Sequence, residues 1–382
     1  MLKFFPVFIF SLINRTVGQM NLSMILPGLI VLTFACAPGP EGGQPAPAGS
    51  TAKENQAMPQ VTLTLNEPAQ QVDVTVDGQP FTSYCYWDKQ YKPVLYPLRT
   101  ADGRTVSRGY PVKMVTGERV DHPHQVSCWF NFGDVNGVDF WGNSDSVNHS
   151  RGRFGQIRHK SLDGMQSGPG KGWIDVTLDW LGPSDDLMLT EKDRIYFRAA
   201  PGLRIIDRVM TLTAAQKIVF NDTKEGAFAI RVTRGLEEPS TEPIRYVDAS
   251  GEVTEVAALD NTGVEGSYLS SEGKVDEKGV WGTRAKWCIL RGTVEGRGAT
   301  IAIFDYPDNV GYPTHWHARG YGLFSANMFG FKAFNKNETE LNFTLQPGES
   351  TTLRYRVLIA TDKLDAEMTE RLYQEWLKDN QS

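Results

Sequence analysis

Histidine and cysteine are scarce in this 382-residue chain, at six and four residues respectively. The cysteines stand at 36, 85, 128 and 288 with no CxxC pair, which excludes a disulfide framework and a cysteine-based zinc site. Cys85, Cys128 and Cys288 read as buried thiols, with one bridge at most. No Lys/Arg run is interleaved with aromatic residues and the formal net charge is −6, so nucleic acid is excluded as a partner. A glycine-rich strand-to-helix turn, a P-loop and a Gly-x-Ser-x-Gly elbow are all missing, which removes the common nucleotide folds and the serine-hydrolase elbow. Past the N-terminal region no apolar run reaches the 18 residues of a membrane span.

Aromatic residues are plentiful instead: nine Trp, thirteen Tyr and nineteen Phe beside 37 Gly. That mixture suits β-structure and the flat faces on which sugar rings stack. The first 36 residues read as an export signal, with Lys3 and Arg15 ahead of the apolar run Ile25 to Ala35. Leu32-Thr33-Phe34-Ala35-Cys36 resembles the bacterial lipobox, which predicts acylation of Cys36 and a membrane-anchored protein on the periplasmic or cell-surface side. Residues 37–59, rich in Pro, Gly and Ala, read as a flexible tether. The membrane is then a partner only through that lipid.

From residue 60 to 382 the pattern predicts one domain. Short alternating runs between turn signals mark strands at 61–65, 173–180, 194–198, 203–213, 227–233, 286–292, 300–304, 340–345 and 351–360. A hairpin over 72–84 turns at Asp77-Gly78. Helical periodicity is confined to the C-terminus, where Leu364, Met368, Leu372 and Trp376 form one apolar stripe of a helix over 362–380 that Asp362 can cap. Residues 237–280 are weakly patterned and read as an excursion, either a binding loop or a solvated insertion. The fold class is therefore all-β, a large antiparallel β-sandwich with a C-terminal amphipathic helix.

Four of the six histidines fall in two His-x-His pairs, Asp121-His122-Pro123-His124-Gln125 and Thr314-His315-Trp316-His317. On a strand, residues i and i+2 share a face roughly 7 Å apart, so His315 and His317 would point together and Trp316 away. Pro123 restricts His122 to extended conformations and places that pair at an edge or in a loop. Three readings stay open: acid–base work and hydrogen bonding to a polar ligand, ligation of one divalent metal ion by neutral imidazoles oriented by Asp121 or Glu118, and histidines satisfied within aromatic packing.

A second constellation, FNDTKEGAFAIRVTRG, sets Asp222, Lys224 and Glu225 in a turn ahead of Arg231 and Arg234. Glu225 is a candidate general base, and the planar fork of Arg231 suits a carboxylate or a sugar hydroxyl. GDVNGVDFWG carries an Asn136-Gly137 turn; its Asp134, Asn136 and Asp139 look like a calcium loop without the closing Glu.

The stretches KPVLYPLRTADGRTVSRGYPV, GERVDHPHQVSCWFNFGDVNGVDFWG, NDTKEGAFAIRV, WGTRAKWCIL and DNVGYPTHWHARGYGLFSANMFG, in this order, resemble the exported bacterial family labelled methane oxygenase PmoA or PmoA-like, over roughly residues 85 to 360. Where that family reads Asp-His-Pro-His-His, this chain has Gln125 in place of the third histidine. The resemblance implies a setting among carbohydrate-degrading systems and a sandwich that looks like the mutarotase-type supersandwich. Its label implies a metal-dependent oxygenase. Together these readings give an exported lipoprotein acting on carbohydrate by hydrolysis, elimination or epimerisation. His122, His124, His315, His317 and Glu225 are its catalytic candidates, and Asp121, Arg231, Tyr312, Trp316 and Arg319 its substrate contacts. The alternatives are a non-catalytic glycan-binding lipoprotein and the oxygenase, with the four histidines as candidate metal ligands.

Overall fold

The computed structural model describes residues 58–380; the signal, most of the tether and Cys36 lie outside the described residues. Alternation becomes architecture directly. In strand Gln71–Val76 the side chains of Val72, Val74 and Val76 are buried and those between them are not. Asp77 and Gly78 both take positive φ, 49° and 76°, in a tight turn, and Val76 pairs with Gln79 across it.

Two large antiparallel sheets form. One has nine strands, running from His315–Ala318 at its edge through Leu323–Asn327, Gly226–Arg231, Cys128–Phe132, Val94–Tyr96 and Gln79–Cys85 to Gln71–Val76, Gln60–Asn66 and Gly168–Pro169. The other has eight, in the order Ser267–Ser270, Trp287–Val294, Arg297–Asp305, Ser350–Ala360, Leu203–Ala214, Leu187–Ala200, Lys171–Leu181 and Gln156–Gln166. Their inner faces share one apolar core. Phe81 meets Phe197 edge-on at 6.3 Å, Phe130 meets Trp180 at 5.8 Å and Phe228 stacks on Tyr355 at 5.0 Å, each pair joining one sheet to the other. The result is a β-sandwich.

The helix spans Ala366–Asp379, shorter than the sequence predicts, and Asp365 rather than Asp362 caps it by accepting from the Met368 N–H at 2.8 Å. The Asp362 carbonyl is engaged by the Thr300 hydroxyl, so this residue belongs to the preceding loop. Thr369, Tyr373 and Trp376 are the buried face, while Met368 is exposed. They seal the outer face of the eight-stranded sheet against Trp287, Phe304 and Leu358. The excursion at 237–280 is better ordered than its composition suggests: it holds the hairpin Ile244–Val247/Val253–Val256, strand Ser267–Ser270 and a short helix Asp276–Val280. All three body cysteines are free and buried.

Candidate functional site

Among the described residues no such helix covers the outer face of the nine-stranded sheet, and near its His315–Ala318 edge it forms a cleft of about 520 Å3. Strand register sets the surroundings of its one strand residue. His317 pairs with Ser325, Ser325 with Ala229, and Ala229 with Trp129, so one cross-strand row reads large, small, small, large. Of this row His317 lines the cleft. Trp141 packs beside Trp129 at 5.2 Å and lines the cleft.

One wall is the loop 121–125. Pro123 does not hold His122 extended: His122 takes φ +43°, and its carbonyl closes a turn with the Gln125 N–H at 2.9 Å. The guanidinium of buried Arg108 fixes this turn by donating to the Asp121 carbonyl at 3.0 Å and carboxylate at 2.7 Å, and to the His122 and Gln125 carbonyls at 3.1 and 3.0 Å. Arg231, fully buried, donates to Asp121 at 2.8 Å and to the Gln125 side-chain carbonyl. Burial alone would raise the Asp121 pKa, but His122 and the two guanidiniums hold it well below the usual carboxylate range. Asp121 and Arg231 thus position the loop beneath the cleft rather than line it, which corrects their assignment as substrate contacts. Gln125 is the acceptor that completes the Arg231 cage.

Held in this way, His122 stacks on Tyr321 at 5.1 Å, with Asp121 3.2 Å from its Nδ1, and His124 lies edge-on to it at 5.7 Å. Burial, then the Lys92 and His122 charges, pushes His124 down to about 3, so it is neutral at pH 7. Lys92, buried below with its Nζ 2.8 Å from the His124 carbonyl, is itself pushed down to about 7.

The opposite wall carries His317, pushed down to about 4 by burial. Glu225, at the turn ahead of strand Gly226–Arg231, contacts Lys224 and lines the cleft beside Arg319. Arg319 is braced from the excursion, with its Nε 2.8 Å from Glu277, whose other oxygen accepts from the Gly320 N–H at 2.6 Å. The excursion therefore props the wall and supplies no lining residue. Asp139 joins from the GDVNGVDFWG segment; burial pushes its carboxyl up and the Glu225 charge adds to this.

Three sequence candidates lie elsewhere. His315 shares the face of His317 but stacks on Phe334 at 5.4 Å, with its Nε2 3.2 Å from Glu338, outside the cleft. Trp316 points into the core, where its indole N–H donates to the Ala285 carbonyl. The Tyr312 hydroxyl meets that of Tyr373 on the C-terminal helix at 3.1 Å. The calcium-like carboxylates serve turns: Asp134 accepts from Gly137 and Asn221, and Asp139 from Gly142, all at 2.8 Å. Glu118 accepts from the Gly109 N–H and the Thr233 hydroxyl rather than orienting a histidine. Among the described residues no group of three or more His, Cys, Asp or Glu side chains is placed to hold a metal ion. The two His-x-His pairs contribute three rings to one cleft and do not form a four-histidine set.

Sequence reasoning missed Trp141, Tyr321, Lys224 and Asp139 as cleft residues. The first two stood inside the quoted motifs, but only the fold shows that they face His124 and His122. Gly142 carries a local signal, since a Cβ there would come within 2.6 Å of the Asp139 carboxylate.

Residues 71–374 match a family of unknown function, DUF6807. This overturns the likeness to the PmoA-like family, and the oxygenase reading goes with that label. No curated protein matches the chain. Among solved structures it is similar to the α-galactosidase AgaB of Geobacillus stearothermophilus, at 11% identity and a TM-score of 0.35 over 80% of this chain and 42% of that one. It is also similar to the Slr1438 protein of Synechocystis, at 9% identity and a TM-score of 0.32, covering 82% of this chain and all of that one. The galactose 1-epimerase of Lactobacillus acidophilus gives 9% identity and a TM-score of 0.30 over 81% of this chain and all of that one. With about four-fifths of its length matched, the chain belongs to the family DUF6807.

Proposed function

We propose that the cleft binds a neutral sugar and moves protons on it. Two buried polar atoms carry this reading: Nδ1 of His317 and the indole N–H of Trp141 have no hydrogen-bond partner among the described residues, and both residues line the cleft. A buried polar group left unpaired costs about 1–3 kcal/mol, so two at one concave surface call for a ligand rich in hydroxyls. Charge favours a neutral one, because Lys224 is paired with Glu225 and Arg319 with Glu277. His124 and His317, held neutral by burial, can each donate and accept a hydrogen bond, as sugar hydroxyls require.

Glu225 is the base in this reading, partly exposed and next to Lys224, while Asp139, whose carboxyl burial pushes up, is the group able to return a proton. Hydrolysis, elimination and epimerisation share this requirement. The test is to follow the full chain with a panel of mono- and oligosaccharides by NMR, in parallel with tryptophan fluorescence. We expect a sugar that quenches the fluorescence and is turned over, with Glu225→Gln slowing turnover about 100-fold or more, the scale of acid–base catalysis, and retaining the quench. A panel that neither binds nor reacts overturns the proposal; binding without turnover would reduce it to a glycan-binding protein. Export and acylation at Cys36 belong to the same reading, and labelling with a radioactive fatty acid should be lost in Cys36→Ser.

A further inference from the structure

A second cavity, of about 750 Å3, opens past strand Val94–Tyr96, among the loops of residues 97–118 and the turns at 233–235, 262–264 and 293–296. Its volume is within the range of small-molecule sites, about 300–1,000 Å3, and it shares no lining residue with the cleft. Its residues are unevenly satisfied. Glu118 has both carboxylate oxygens engaged, by the Gly109 N–H at 2.7 Å and the Thr233 hydroxyl at 3.0 Å. Arg234 is tied to Glu237 and yet keeps a buried Nε with no partner.

Arg99 stands apart. Its guanidinium makes no hydrogen bond or ion pair to any described residue, and partial burial holds its pKa below the usual arginine value. Arg99 is half-buried, whereas Arg104, fully withdrawn nearby, has found its acceptors on Asp102 and three backbone carbonyls. Of the two carboxylates that line the cavity, Glu118 is engaged by Gly109 and Thr233 and Glu295 makes no hydrogen bond or ion pair to Arg99, so the planar fork of donors on Arg99 is suited to take a carboxylate from a ligand. Lys113 at the rim adds positive charge, and Val115 and Val264 give an apolar wall beside it.

We propose that this cavity is a second binding site, for a small organic carboxylate whose anionic group pairs with Arg99 while its uncharged body lies against Val115 and Val264. The site is independent of the sugar reading of the cleft. Arg108 stands between them, its neighbours Ser107 and Gly109 lining the cavity while its own guanidinium holds the cleft loop.

The test is calorimetric titration of the full chain with acetate, benzoate and D-glucuronate, with sulfate as the inorganic control. We expect saturable binding of at least one carboxylate, tighter than sulfate, weakened at least tenfold in Arg99→Gln and unchanged in Glu225→Gln. Arg99→Lys keeps the charge without the fork and should bind at least threefold more weakly than the native protein; it also decides the matter if Arg99→Gln does not fold. No saturable carboxylate binding below 10 mM, binding no tighter than that of sulfate, affinity unaltered by both Arg99 variants, or affinity lost in Glu225→Gln would each overturn the assignment.

Discussion

The outer faces of the two sheets received opposite treatment. On the eight-stranded sheet a helix covers the surface with Tyr373 and Trp376, and even the polar atoms there are paired: the Trp287 indole donates to Glu370 at 2.6 Å and the Tyr373 hydroxyl to the Asp305 carbonyl at 3.2 Å. On the nine-stranded sheet the cover is loops, and buried beneath them are Arg231, Asn131, Ser325 and His317. Apolar cover closes a surface at little cost in specificity. Polar cover demands a partner for each buried group, and where a partner is lacking the surface is prepared for a ligand.

The comparison breaks most severely if each face is deprived of its anchor. Trp376→Ala should cost about 4 kcal/mol, the scale of a large aromatic removed from a packed site, because the indole lies against Phe304, Tyr306 and Tyr373. Denaturant unfolding should show this while sugar binding at the cleft stays unchanged. Arg231→Met should cost about 3 kcal/mol, since it leaves Asp121 with one guanidinium fewer and Gln125 without its donor. Here stability and cleft binding should fall together. Equal losses of binding in the two variants would mean that the faces are not separate in function.

Acid should act on one face first. His317 titrates near the usual 6.5 when unfolded and at about 4 when folded, so below pH 6.5 the unfolded chain takes up the proton that the folded chain refuses. The contribution of the neutral ring is complete above about pH 6.5 and is lost as pH falls toward 4. At about 1.4 kcal/mol per unit, going from pH 6.5 to 4.5 should remove about 2 kcal/mol more from the native protein than from His317→Gln. Parallel stability curves for the two proteins over that range would contradict the burial of this ring.

The sandwich was legible because inward positions alternate: the run 203–213 corresponds to strand Leu203–Ala214, with burial on nearly every second residue, while 351–360 corresponds to Ser350–Ala360, which alternates at its start and is buried throughout from Tyr355 under the C-terminal helix. Strand Cys128–Phe132 was not, because all five of its residues are buried and no period of two survives. The site was legible in part. His122, His124, His317, Glu225 and Arg319 reach one cleft, whereas His315, though both rings touch Phe334, is closed off by Phe331 and Glu338 from a segment about twenty residues further along the chain. Spacing puts two histidines on one face; it does not say which one a later loop will cover. The same limit hid Asp139, whose sequence context suggested a turn and whose pairing does form one.

The smallest effect concerns the edge of the covered face, where the helix begins. Ahead of Ala366 the chain offers Asp362 and Asp365, and the sequence pattern favoured the first, since it opens the longer apolar stripe. The Asp362 carbonyl is already bound to the Thr300 hydroxyl, and Leu364 donates its N–H to that same hydroxyl, which keeps this turn extended along the sheet edge. Only at Asp365 is a carboxylate free to accept from Met368. Asp365→Ala should therefore cost about 1 kcal/mol, the usual value of an N-cap, while Asp362→Ala should leave stability nearly unchanged because its contact is made by the backbone. A larger loss at 362 than at 365 would mean that the helix is nucleated from the sheet edge rather than by its own cap.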